Sequence, residues 1–226
     1  GCGKPMKCLD PGVFKLEGAI THSCNTYFAN VMQRVINNPR FPNLDSSLSS
    51  WAHYMNAFGL GHRLGIDLPS EKSGNIPTPA TYDKVYGNGR WNFCTFRSLS
   101  IGQGEVLTTP LQVANEMAYL ANKGWFITPH LVDSIAGGDK FGLLNRFKEK
   151  HIPLDIPDSI FEYVHDGMQG VMETGTGRGS RIPGITICGK TGTAENYYRG
   201  KQQKDHSPRI SLFPAPEFGD RRLERW

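Results

Sequence analysis

The segment Ile185-Thr186-Ile187-Cys188 runs directly into Gly189-Lys190-Thr191-Gly192-Thr193. A short apolar run bounded by glycine predicts a buried strand over 185–188. Such a strand needs sheet neighbours and a helical layer to cover it. Its open end carries a lysine, a hydroxyl and a glycine in that order. Lys190 and Thr191 can offer charge and hydrogen bonds to a substrate carboxylate. Gly192 removes a side chain, so a substrate backbone can lie against the strand. The N–H of Thr193 can form half of an oxyanion hole. A strand leading into a glycine turn is the plain alternative. Lys-Thr-Gly-Thr arises by chance in on the order of one such chain in several hundred. Ser23-Cys24-Asn25 is weaker evidence: Ser-x-Asn is expected about once in a chain of this length. Alone it reads as a turn or helix cap.

Composition narrows the classes. The chain has 226 residues and a formal net charge of +4, with no run of like charges, which argues against a nucleic-acid arm. No stretch approaches the roughly 18 apolar residues of a membrane span, and no signal peptide opens the sequence. The five cysteines, Cys2, Cys8, Cys24, Cys94 and Cys188, include no Cys-x-x-Cys pair. A Cys2–Cys8 disulfide would suit an oxidising compartment. Buried thiols are the favoured reading, and Cys188, inside the apolar strand, fits it best.

Leu16, Ile20, Tyr27, Val31 and Val35 recur at helical spacing and predict a helix around Ser23, stopped by Asn37-Asn38-Pro39. A second helix is expected over 49–58, with Gly59 as its cap. Residues 59–95 read as a long loop carrying function or a small substructure. Thr109 and Pro110 open a further helix. Residues 126–135 look like a strand interrupted by Pro129. Asp158 or Ser159 caps a helix with Ile160, Val164, Met168 and Val171 as its apolar stripe. Helices come first and strands later, without βαβ alternation, so the fold class is α+β. Residues 207–226 show no sheet periodicity.

Several segments together resemble the transpeptidase domain of a class B penicillin-binding protein. They are Ser23-Cys24-Asn25-Thr26-Tyr27-Phe28, Phe58-Gly59-Leu60-Gly61, Gly65-Ile66-Asp67-Leu68-Pro69, Ser100-Ile101-Gly102-Gln103-Gly104, Thr109-Pro110-Leu111-Gln112, Gly175-Thr176-Gly177 and Lys190-Thr191-Gly192-Thr193-Ala194. Residues 71–78 resemble the elongation type. The resemblance implies a helical lobe packed on a central antiparallel sheet, incomplete at both ends. It implies a peptidoglycan D,D-transpeptidase that cross-links stem peptides ending in D-Ala-D-Ala through a serine acyl-enzyme and binds β-lactams. Ser23, Asn25 and Lys190 would be catalytic: Ser23 as proton relay, Asn25 holding the acyl donor's side amide, Lys190 polarising Ser23. Thr191, Gly192 and Thr193 would bind substrate. Gly102-Gln103-Gly104 would be a packing turn. No cofactor and no nucleic acid is expected. The parent protein would be anchored in the inner membrane, with this domain in the periplasm beside the membrane-embedded cell-wall elongation machinery.

The chain also departs from the family. Ser-x-x-Lys, which carries the nucleophile, is absent from all 226 residues. The expectation is a fragment comprising a partial transpeptidase domain over 1–207 and an atypical, frame-shifted tail over 208–226, inactive and poorly stable alone. Some relatives carry zinc on Asp, His and a Cys at the centre of Ser-x-Asn. Cys24 matches that cysteine, but Pro11 stands at the histidine position and Cys2 and Cys8 lack ligand spacing, so no metal is expected. His22 and His206 read as polar structural residues. A class D-like β-lactamase and a non-catalytic penicillin-sensing or scaffold domain are the alternatives.

Overall fold

The computed structural model describes residues 2–3, 6–8 and 12–192, with the backbones of strands at 195–198, 201–204 and 209–214. Helix α1 (Leu16–Thr21) ends two residues short of Ser23, and α2 (Asn25–Ile36) restarts beyond it. The single helix expected through Ser23 is therefore broken at the motif. The break resets the helical phase. Ala29, Met32 and Ile36 face the core, whereas Val31 and Val35, expected on the buried stripe, are exposed.

Helix α3 (Leu44–Ala57) begins five residues earlier than the apolar pattern suggests, because Asn43 caps it by accepting the Ser46 N–H at 2.8 Å. The expected long loop carries α4 (Pro79–Tyr86) and α5 (Phe93–Phe96). Its remaining turns are fastened by side chains. The Glu71 carboxylate accepts the N–H groups of Leu64, Gly65 and Ile66. Helix α6 (Pro110–Ala121) starts with the Thr109 cap and first-turn proline read from the sequence. Its buried Gln112 donates to His62 O at 2.6 Å and Ser73 O at 2.8 Å. Gly74 passes so close to the Leu107 carbonyl that no Cβ fits. This half of the molecule closes over Met32, Ile36, Leu48, Tyr82, Trp91, Phe93, Phe96 and Leu99.

No strand forms over 126–135. Phe126 makes only an isolated bridge to His151. Pro129 has no N–H to give a ladder, and the N–H groups of Leu131 and Val132 go to the Asp67 carboxylate instead. Helix α7 (Asp158–Glu173) buries Phe161, His165, Met168, Val171 and Met172, while Ile160, expected in the stripe, is exposed. Strand β1 (Ile187–Gly192) begins two residues later than predicted and includes Lys-Thr-Gly itself. It pairs antiparallel with β4 (Arg209–Pro214), Lys190 opposite Ser211. Strands β2 (Glu195–Tyr198) and β3 (Lys201–Lys204) form a second antiparallel pair. Strand β4 corrects the expectation that 207–226 lacks sheet. Pro208 and Pro214 suggest a break, but proline is tolerated at a strand end, and Ile210 and Leu212 alternate between them.

The second core joins α1, α7 and β1 through Ile20, Met168, Val171, Met172, Ile187 and Cys188. Glycine permits this packing. A Cβ on Gly167 would lie 2.8 Å from that of Ile20, and one on Gly170 would overlap the Thr21 hydroxyl. Beyond α7, a Cβ on Gly175 would overlap the Thr21 carbonyl oxygen. The Thr21 hydroxyl donates to Gly167 O at 3.2 Å.

The cysteines pair differently from the expectation. Cys2 bonds Cys94 and Cys8 bonds Cys24; only Cys188 is a free, buried thiol. Spacing suggested Cys2–Cys8 because proximity in the chain is all a sequence displays. The fold carries the N-terminal segment across α2 instead, where the Thr26 hydroxyl also donates to Met6 O at 2.6 Å. In the loop-entropy account, crosslinks over 92 and 16 residues are worth about 4–5 and about 3 kcal/mol.

Three measurements check these points. Gly170→Ala should cost about 1–3 kcal/mol in urea denaturation, whereas Gly179→Ala, with open space around it, should be nearly neutral; equal effects would refute the packing argument. Non-reducing peptide mapping should recover Cys2–Cys94 and Cys8–Cys24 and leave Cys188 resistant to alkylation until unfolding. Burial pushes the Glu116 carboxyl on α6 from 4.5 up to about 7. A folded-state pKa raised this way favours the fold at low pH, and that contribution is lost as pH climbs from 4.5 to about 7. Glu116→Gln should therefore be nearly neutral at pH 4 and stabilise by up to about 3 kcal/mol at pH 8.

Candidate active site

Ser23 is the middle residue of the three-residue gap between α1 and α2, with φ at +51°. A β-carbon disfavours this left-handed region, so the surroundings must hold the residue there. They do so from both sides. The Ser23 N–H bonds Ile20 O at 3.1 Å and the Cys24 N–H bonds Ala19 O at 2.9 Å. The Cys24 side chain is tied to Cys8. His22 stacks on Phe14 with ring centroids 5.0 Å apart, which agrees with its reading as a structural residue.

Strand β1 brings Lys190 to this turn. Its Nζ donates to Ser23 Oγ at 2.8 Å and to Thr191 O at 3.0 Å. Burial holds the ammonium below its ordinary value of 10.5, because the charged form loses solvation. Among the described residues these two oxygens are the contacts of Nζ, so the site pairs a part-desolvated cation with neutral acceptors. An incoming carboxylate would meet that cation. The Lys190 proton donated to Ser23 Oγ also leaves the serine's own proton free to point elsewhere.

The other described motif residues follow these two in the chain. Asn25 is half buried at the first position of α2, two residues beyond Ser23. Thr191 is half buried, and its hydroxyl lies 2.8 Å from that of Thr176. Gly192 ends β1 and is exposed. Thr193 and His206 lie outside the described residues. Gly102-Gln103-Gly104 forms a turn with both glycines exposed: Gly102 has φ at +69° and the Gln103 N–H closes onto Ser98 O at 3.1 Å.

Sequence reasoning missed the Thr176 contact, the glycine bed of Thr21 and the Cys8–Cys24 disulfide at the centre of Ser-x-Asn. The Gly167/Gly170 spacing on one helix face was the available signal for the second of these. The zinc arrangement does not fit the residues present. Cys2, Cys8 and Cys24 are all consumed in disulfides, whereas zinc needs deprotonated thiolates. Among the described residues no three His, Cys, Asp or Glu side chains cluster as a metal site.

Comparison with known proteins agrees with the geometry. A family model described as the penicillin binding protein transpeptidase domain matches residues 7–215. The peptidoglycan D,D-transpeptidase MrdA of Acinetobacter baumannii is 32% identical over 215 residues, covering 90% of this chain and 30% of the relative. This chain thus spans under a third of that relative's length. Among solved structures, penicillin-binding protein 2 of Helicobacter pylori in complex with MreC aligns over 89% of this chain and 36% of its own, with TM-score 0.67 and 25% identity. Penicillin-binding protein 2 of Pseudomonas aeruginosa in complex with WCK 5153 aligns over 89% of this chain and 44% of its own, with TM-score 0.67 and 26% identity. With the family model matching residues 7–215, the chain belongs to the penicillin-binding protein transpeptidase domain family.

Proposed function

We propose that this chain forms the substrate-binding and proton-relay side of a peptidoglycan D,D-transpeptidase, of the penicillin-binding protein 2 type. The observation that carries this reading is the 2.8 Å contact between Lys190 Nζ and Ser23 Oγ. A stem peptide ending in D-Ala-D-Ala would place its terminal carboxylate against the Thr191 and Thr193 hydroxyls, within the field of Lys190. Asn25 would hold the side amide of the acyl donor. The scissile carbonyl oxygen would face the Thr193 N–H as it gains charge.

Acylation needs a serine nucleophile, and Ser-x-x-Lys is absent from these 226 residues; the nucleophile would come from a Ser-x-x-Lys segment of the parent protein. In that reaction the leaving D-alanine nitrogen takes a proton. The nucleophile's own proton would pass to its general base, and Ser23, its oxygen polarised by the Lys190 ammonium, would relay that proton from the base to the nitrogen. β-Lactams, with a carboxylate beside an acyl centre, would enter the same cradle.

The two disulfides support an oxidising compartment, which matches a periplasmic domain of an inner-membrane protein. Among the described residues no helix is long and apolar enough to cross a membrane, so an anchor would lie elsewhere in the parent. The MreC complex of the Helicobacter pylori relative supports partners in the membrane-embedded elongation machinery.

A binding measurement on the chain tests the reading. A peptide ending in D-Ala-D-Ala should bind more tightly than its C-terminal carboxamide, and Lys190→Gln should erase roughly 10- to 100-fold of that preference. In the wild-type chain the preference should fade as pH rises through the lowered Lys190 pKa, below 10.5. In Lys190→Gln that alkaline loss should vanish. No preference for the carboxylate would overturn the proposal.

A further inference from the structure

Gly175-Thr176-Gly177 enters the family resemblance without a role in the chemistry, yet the fold places it against both halves of the site. We infer that Thr176 is a positioning residue for carboxylate recognition: its hydroxyl sets the direction of the Thr191 hydroxyl. This rests on the carboxylate-binding role proposed for Thr191 above.

The backbone of this turn is pinned. The Gly175 N–H bonds Gly170 O at 2.9 Å and the Gly177 N–H bonds Val171 O at 2.9 Å. Gly175 presses on the Thr21 carbonyl, and a Cβ on Gly177 would come within 2.9 Å of the Met172 sulfur. The Thr176 N–H points to Thr21 O at 3.4 Å. A turn locked onto α7 and the end of α1 thus presents one exposed hydroxyl, and that hydroxyl meets Thr191 Oγ1 at 2.8 Å across 15 positions of sequence. Thr191 is held from its other end as well, where Lys190 Nζ bonds its carbonyl oxygen at 3.0 Å.

Proton counting gives the direction. Each threonine hydroxyl has one proton and two acceptor lone pairs. If Thr191 spends its proton on Thr176, it meets a carboxylate with lone pairs only, which repel. If Thr176 donates to Thr191, the Thr191 proton is free for the carboxylate, and the two bonds strengthen each other in series. A carboxylate can only accept, so its arrival selects the second arrangement. A neutral carboxamide, which can donate, does not require it.

The test compares the full chain with Thr176→Val, Thr176→Ser, Thr191→Val and the Thr176→Val/Thr191→Val pair. The probes are a D-Ala-D-Ala peptide and its carboxamide, with folding verified by circular dichroism. Thr176→Val should weaken the carboxylate peptide about tenfold and leave the carboxamide within about twofold, and Thr176→Ser should restore binding. In the Thr191→Val background, Thr176→Val should cost nothing further. Should Thr176→Val fail to fold, Thr176→Ala carries the same comparison. Unchanged carboxylate binding, equal losses for both peptides, or a full loss in the Thr191→Val background would overturn the inference. A wild-type chain indifferent to the carboxylate would instead bring down the transpeptidase reading, and this inference with it.

Discussion

Everything at this site depends on how closely the end of α1 can approach α7. Ile20 and Thr21 lie on Gly167, Gly170 and Gly175, where a single methyl group on any of the three would collide with them. That approach sets the depth of α1, and the depth of α1 sets where Ser23 emerges. Because α7 also covers β1 through Met168, Val171 and Met172, one packed layer positions the serine and the lysine together. A looser helix pair would separate Nζ from Oγ beyond hydrogen-bond reach without disturbing either motif in sequence.

The same layer supplies the electrostatics. Lys190 sits in a strand whose inner residues, Ile187 and Cys188, are buried. The partial desolvation of its ammonium follows from that position. A charge so placed meets an anion with less screening than a surface lysine would, and it is held by a hydroxyl and a carbonyl, neither of which neutralises it. The arrangement therefore holds a part-desolvated cation on neutral acceptors. Thr191 follows this lysine on β1, and its hydroxyl meets that of Thr176 on a turn that belongs to the α1–α7 packing.

The N-terminal segment forms the other restraint. Cys2, Met6 and Cys8 fasten it to Cys94, Thr26 and Cys24 in turn. The last two fastenings lie one and three residues beyond the positive-φ serine. Ser23 must hold a backbone conformation that its side chain disfavours, and the residue immediately after it is covalently anchored. In this chain, that anchoring occupies the cysteine that a metal-binding relative would use for zinc.

The sequence alone determined the chemistry-bearing strand end, the Thr109-Pro110 helix start, the α+β order and the family, because these rest on local residue types and on motif order. It misplaced what depends on distant partners. The helix through Ser23 looked continuous because apolar spacing shows neither the local hydrogen bonds that close the turn there nor the disulfide that anchors Cys24. Residues 126–135 looked like a strand because nothing nearby shows that Asp67 takes their N–H groups. Residues 209–214 looked irregular because their partner, β1, lies far upstream. The cysteine pairing, the glycine bed under Thr21 and the meeting of Thr176 with Thr191 were decided by tertiary structure alone. Each is a contact between groups separated in the chain, and short-range pattern carries no information about which of many distant groups will be brought within a few ångströms.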